Sequence, residues 1–182
     1  YTNWVSLPAM ATAHGLQPWS EAHWHMIRQY AELMARNRQN MFRVPWEVIF
    51  EKDRSGFRLN QERLIRLVDL FTRAGMYYIE GGHVAVRAEG GFQAPRFKNI
   101  CGGDLSTSPE GSRMLARLGR RLLEGIARQG WASRWLQHAA DEPSGPNAPD
   151  YRVLCGIIRQ AMPGIALFDA SSDRTIVGAL DE

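Results

Sequence analysis

The chain has 182 residues, with 22 Lys+Arg against 19 Asp+Glu, 45% hydrophobic and 23% charged residues. That composition can bury a core and is too apolar for a disordered chain. No apolar run approaches the roughly 20 residues of a membrane helix, and two cysteines are too few for a disulfide scaffold. The net charge of +3 is spread along the chain and interleaved with acids, so neither nucleic acid nor a membrane is an expected partner.

In chain order, Asn3 to Leu7 is a short strand candidate, followed by a loop through Gly15 and Pro18. Ser20 offers an N-cap to a helix whose apolar residues Trp24, Ile27, Ala31 and Met34 recur at helical spacing as far as about Arg38. Met41–Val44 reads as a second strand ending at Pro45, with a hairpin through 48–51 and 57–59 around Asp53-Arg54-Ser55-Gly56. Asn60 opens the next helix, with Leu64, Leu67, Val68 and Phe71 on one face and a stop at Gly75. Met76 to Glu80 is a third strand, running into Gly81-Gly82-His83.

Residues 84–107 are irregular and glycine-rich, long enough to suggest a functional loop. Ser108-Pro109-Glu110 starts a helix with Ser at the N-cap and Pro at N1, and Leu115, Leu118, Leu122 and Ile126 carry it to Gly130. Trp135 to Ala139 is strand four, Pro149 opens a helix, Ile165 to Asp169 is strand five, and Thr175 to Leu180 begins a sixth.

Strand-helix repetition requires parallel strands, because each helix returns the chain to the starting edge. The expected fold class is therefore α/β, with residues 1–182 as one domain. A closed (β/α)8 barrel takes about 250 residues, and no glycine-rich phosphate fingerprint follows the first strand. The reading is a partial (β/α)8 barrel of five to six units, cut off before closure. An unclosed sheet exposes edges, which predicts either oligomerisation or barrel segments outside these residues.

Polar residues gather after each strand, where parallel α/β folds carry their active sites. Asp141 and Glu142 close strand four, and two adjacent acids in a partly desolvated pocket split their pKa values into a carboxylate and a general acid. The bland alternative is a solvated Asp-Glu-Pro turn. Glu80, His83, His138 and Asp169, all at strand ends, are candidates for binding the polar groups of a substrate. Trp46 is a candidate apolar platform for it, with core packing as its alternative. His23 and His25 are two apart on a helix and cannot share a ligand, so both read as structural. Cys101 and Cys155 read as free buried thiols without zinc spacing.

The segment His138-Ala-Ala-Asp141-Glu142 resembles the His-x-x-Asp-Glu signature of β-N-acetylhexosaminidases. The wider pattern, from HGLQPWSEAHW and RNRQN to WLQHAADEPS and LFDASS, resembles the catalytic barrel of glycoside hydrolase family 123. That resemblance implies a retaining β-N-acetylgalactosaminidase without metal or organic cofactor, acting on a glycan or glycoconjugate. It also implies an Asp-Glu catalytic pair at the end of strand four. In the implied mechanism the 2-acetamido oxygen attacks its own anomeric carbon; Asp141 orients the acetamido nitrogen, and Glu142 protonates the leaving oxygen and then activates water. The resemblance implies a secreted or periplasmic enzyme, whereas the residues themselves carry no compartment signal. Two alternatives stay open: a metal-dependent barrel hydrolase using Glu80, His83, His138 and Asp141 as ligands, and a catalytically silent carbohydrate-binding or assembly module.

Overall fold

The computed structural model describes residues 4–54, 56–171 and 173–181. In chain order its elements are helices α1 (Leu7–Ala13) and α2 (Glu21–Arg36), strand β1 (Met41–Val44), the one-turn helix α3 (Trp46–Ile49), strands β2 (Phe50–Asp53) and β3 (Gly56–Leu59), helix α4 (Gln61–Ala74) and strand β4 (Tyr78–Gly81). There follow strands β5 (Ala85–Arg87) and β6 (Phe97–Asn99), helix α5 (Pro109–Arg128), strand β7 (Trp135–His138), helix α6 (Ala148–Ala161) and strand β8 (Ala166–Phe168). Four strands form one parallel sheet in the order β1-β4-β7-β8, which is their order along the chain. Sequence-ordered parallel strands linked by helices are what the strand-helix alternation requires. No helix among the described residues is long and apolar enough to cross a membrane.

The chain divides into two compact units, residues 1–44 with 62–80, and residues 45–61 with 81–182. In the first, Ile27, Ala31, Phe42, Leu64, Val68 and Phe71 are buried, and the Phe42 and Phe71 rings stack with centroids 4.8 Å apart. Ser20 caps α2 as expected, its hydroxyl accepting from the His23 N–H at 3.2 Å. His23 is structural: its Nδ1 accepts from the Trp19 N–H and its Nε2 lies 3.0 Å from the Leu7 carbonyl. Burial holds its pKa below the usual histidine value.

The first expected strand is not one. Residues 1–3 lie outside the described residues, and Leu7 begins α1, with the Ser6 hydroxyl accepting from the Ala9 N–H and Pro8 in the first turn. Capping and proline placement outweigh the strand character of Trp4 and Val5.

In the second unit, β7 and β8 pair parallel with Leu136 opposite Ala166 and His138 opposite Phe168. The expected hairpin is present as antiparallel β2 and β3, starting at Phe50 because Val48 and Ile49 belong to α3. The glycine-rich stretch contains a second hairpin, β5 with β6. The sixth strand is absent: residues Arg174–Ile176 form a short 3-10 turn. There the Arg152 guanidinium takes up the carbonyls of Thr175 and Val177, so neither is left for a ladder.

Gln137, on β7, is fully buried. Its side-chain oxygen accepts from the indole N–H groups of Trp46 and Trp135, each at 3.3 Å, and its amide nitrogen donates to the carbonyls of Gly82 and His138. A Cβ at Gly81 would fall on that oxygen and 2.6 Å from the Trp135 Nε1.

Candidate active site

Strand β7 ends at His138, and the Ala139 carbonyl then accepts from the N–H groups of Val84 and Ala85, binding the start of β5 to the strand end. Two fully buried alanines, Ala139 and Ala140, precede the acids. Asp141 and Glu142 themselves emerge exposed. Glu142 adopts φ +41°, a left-handed backbone that few non-glycine residues occupy. An Arg87 Nη2 hydrogen bond of 2.8 Å to the Glu142 carbonyl holds it there. Beyond Pro143, Ser144 and Asn147 close on each other, and the Asn147 amide donates to the Ala94 carbonyl at 3.2 Å.

At the ends of the same strands lies a polar cluster in which the two histidines are buried and Asp169 is half-buried. The donor atoms of His83, His138 and Asp169 all fall within 4.8 Å of one another. The two imidazole centroids are 4.9 Å apart, and His138 meets the Phe168 ring edge-on at 4.0 Å. Asp169 Oδ2 accepts from the Tyr151 hydroxyl at 2.7 Å and from the Ala140 N–H at 3.3 Å, while Oδ1 accepts from the Ala170 N–H at 2.9 Å. Burial pushes the Asp169 carboxyl up to about 7; its three hydrogen bonds pull it back, and the Asp141 charge adds to the rise. Burial likewise raises the Tyr151 phenol above its ordinary value.

The structure therefore brings His83, His138 and Asp169 together, and ties Asp169 to Ala140, the residue before the acid pair. Asp169, not the Asp141 expected under the metal alternative, completes the His83 and His138 donor set. Glu80 is fully buried in the first unit, with Arg43 Nε 3.9 Å from its carboxylate. Trp46 is 1% exposed and committed to Gln137 through its indole N–H. Its face is closed to a sugar, which corrects the platform expected of it.

An open cleft of about 650 Å³ adjoins the pair. Glu142 stands on its wall with Phe92, Gln93, Pro143, Ser171 and Asp173 among the others. No motif or spacing in the sequence singles out Tyr151, Arg87 or Phe92. Phe92 does fall in the glycine-rich stretch marked as a functional loop, and that length is the one signal that pointed near it.

Residues 4–80 match the catalytic domain of glycoside hydrolase family 123. The match ends before Asp141 and Glu142. Among solved structures, the chain is similar to a family 123 glycoside hydrolase from Clostridium perfringens, studied for glycolipid glycan hydrolysis. The TM-score is 0.71 at 11% identity, over 100% of this chain and 37% of that one. It is also similar to XacCel5A, solved in complex with cellopentaose, with a TM-score of 0.50 at 19% identity over 77% of this chain and 42% of that one. No match was found among the curated proteins. At these identities the structural likeness shows the fold: a parallel α/β sheet of the kind that walls TIM-barrel glycoside hydrolases. The chain spans well under half the length of the glycosidases it resembles.

Proposed function

We propose that this chain carries the catalytic pair of a retaining glycoside hydrolase that removes terminal β-linked N-acetylhexosamine, with N-acetylgalactosamine the preferred sugar. The observation that carries the reading is the pair itself: Asp141 and Glu142 stand exposed just past a parallel strand end, with Glu142 on the wall of a cleft. The family match over residues 4–80 supports the class of reaction.

The sugar's acetamido oxygen attacks its own anomeric carbon as the bond to the leaving oxygen breaks, giving an oxazolinium ion. Asp141 accepts a hydrogen bond from the acetamido N–H and stabilises the positive charge that develops. Glu142 gives its proton to the leaving oxygen, then takes one from the water that opens the ring. The mechanism departs from the double-displacement scheme, in which a protein carboxylate is the nucleophile. His83, His138 and Asp169 support this site as polar groups packed at the strand ends, Asp169 through the hydrogen bond it accepts from the Ala140 N–H.

In the intact protein, Glu142→Gln should lower turnover about 10²- to 10⁴-fold on substrates with poor leaving groups. Activated phenol glycosides, which need no proton, should lose far less. A thiazoline mimic of the oxazolinium ion should inhibit the wild type, and a sugar lacking the 2-acetamido group should not be cleaved. Equal cleavage of that sugar would replace this reading with an ordinary two-carboxylate glycosidase. No turnover of any glycoside would favour the silent module.

The His83, His138 and Asp169 cluster favours a second reading, a metal-dependent hydrolase. It ranks lower because Asp169 already accepts from the Tyr151 hydroxyl and two backbone N–H groups, and because the family match over residues 4–80 supports a glycoside hydrolase. Loss of activity on chelation, restored by Zn²⁺, would reverse that order.

A further inference from the structure

We propose that His83, His138 and Asp169 bind one divalent transition-metal ion, with Zn²⁺ as the reference ion, and that the bound ion inhibits the protein instead of serving its reaction. Binding is independent of the glycosidase reading above; the inhibition rests on it.

Two imidazoles and one carboxylate are a donor set of mononuclear zinc and iron sites, and two nitrogens among three donors disfavour Mg²⁺ and Ca²⁺, which take oxygen. Among the described residues this is the one group of three such donors, and their donor atoms lie within 4.8 Å of one another. A zinc ion holds its ligands at about 2.0–2.2 Å, so side-chain rotation brings this set onto one ion. His83 and His138 are 6% and 4% exposed, and Asp169 is half-buried. An ion can enter past the carboxylate, whereas imidazoles so enclosed are closed to a sugar ring.

The backbone of the two histidines is fixed before any ion arrives. The buried Gln137 amide nitrogen donates to the Gly82 carbonyl at 2.7 Å and to the His138 carbonyl at 2.9 Å, so one side chain ties the peptide that precedes His83 to that of His138. The Ala139 carbonyl joins the same two segments again through the N–H groups of Val84 and Ala85. The β7–β8 register sets His138 opposite Phe168, the residue before Asp169. Ligands held this way bind with little reorganisation. Asp169 accepts from Tyr151, Ala140 and Ala170, which fills three of about four acceptor positions on a carboxylate and leaves one. Tyr151 thereby orients a ligand without being one, as the outer partners of metal-bound carboxylates do. With one position left the ion is held reversibly. Because Ala140 precedes Asp141, an ion on Asp169 competes for a contact one residue from the proposed acid pair.

The test is isothermal titration calorimetry of the intact protein. ZnCl₂ should give one bound ion per chain and MgCl₂ none. His83→Gln and His138→Gln should each lose that binding. Tyr151→Phe keeps all three donors and should weaken it about 10- to 100-fold. His25→Gln, on the exposed face of α2, should leave it unchanged. Zn²⁺ should also raise the thermal unfolding midpoint of wild type and not that of His138→Gln. Absence of binding by wild type, binding that survives both histidine variants, or a Tyr151→Phe affinity equal to wild type would overturn the site. If one histidine variant fails to fold, the other and Tyr151→Phe decide. Turnover reads the second half: Zn²⁺ should slow hydrolysis of a phenyl N-acetylgalactosaminide at the concentrations at which it binds, and a chelator should restore it. Binding without slowing, or turnover lost on chelation, would overturn the inhibitory role. A protein that binds Zn²⁺ through these residues and cleaves no glycoside would uphold the site and overturn the glycosidase reading.

Discussion

Asp169 and the Asp141–Glu142 pair stand beyond the ends of two paired parallel strands, and all three are carboxyl groups in one neighbourhood. Their surroundings differ. Asp169 is half-buried, bonded to Tyr151 and Ala140 and close to the two imidazoles, with its pKa raised to about 7. The pair stands in solvent after two buried alanines. The contrast shows that the fold spends its buried polar contacts on the residue that sets the strand end, and leaves the proposed catalytic acids free to meet a ligand. Burial, more than the nearby charge, separates them: desolvation is the largest cause of the Asp169 shift, and the Asp141 charge the smallest.

Substitutions can break this contrast from either side. The largest effect on turnover outside Glu142 is expected at Asp141→Asn, a loss of about 10²-fold on phenol glycosides and natural linkages alike. Its unfolding free energy should stay within about 0.5 kcal/mol of wild type; urea denaturation beside steady-state kinetics checks both halves. Asp169→Ala should do the reverse in kind. It strands the Tyr151 hydroxyl and two N–H groups, and should cost about 2–4 kcal/mol in the same denaturation series.

The pH dependence sharpens the comparison. Because the folded Asp169 carboxyl titrates near 7 and an unfolded one near 3.8, the folded state binds the extra proton between those values. This contribution to stability is fully present below about pH 4 and declines as pH rises through 7. Its slope is at most about 1.4 kcal/mol per pH unit. Asp169→Asn should remove that slope from a plot of unfolding free energy against pH, and Asp141→Asn should largely leave it. The smallest effect concerns the two thiols. Cys101 and Cys155 are buried, with pKa values pushed up to about 12. Neither should react with a disulfide reagent in the native protein, and both should after denaturation.

Much of the fold was legible because its signals are local. Ser20 and Ser108 cap the helices they were expected to cap, and four of the expected strands form the parallel sheet. The two misses have different causes, one local and one distant. Ser6 and Pro8 carried a helix start that the aromatic and β-branched neighbours obscured, and a clasp from Arg152, over twenty residues upstream, unmade the sixth strand. The site was legible only in part. Strand-end position picked out His83, His138 and Asp169. Their convergence depends on a fold that pairs distant strands, and nothing near Trp46 in the sequence announces that Gln137 will claim its indole. The Tyr151 contact is a helix residue meeting a strand end, for which no spacing rule exists.

The Gln137 hub carries a consequence for how this sequence can change over time. Its oxygen fills the space where a side chain at Gly81 would begin, and two tryptophans depend on that oxygen for their N–H partners. Gly81 therefore cannot acquire even a methyl group while Gln137 stays in place, and Gln137 cannot shrink without leaving two buried indoles unsatisfied. The four positions 46, 81, 135 and 137 form one unit of substitution: viable variants should alter them together, and single changes at any of them should be strongly epistatic with the other three.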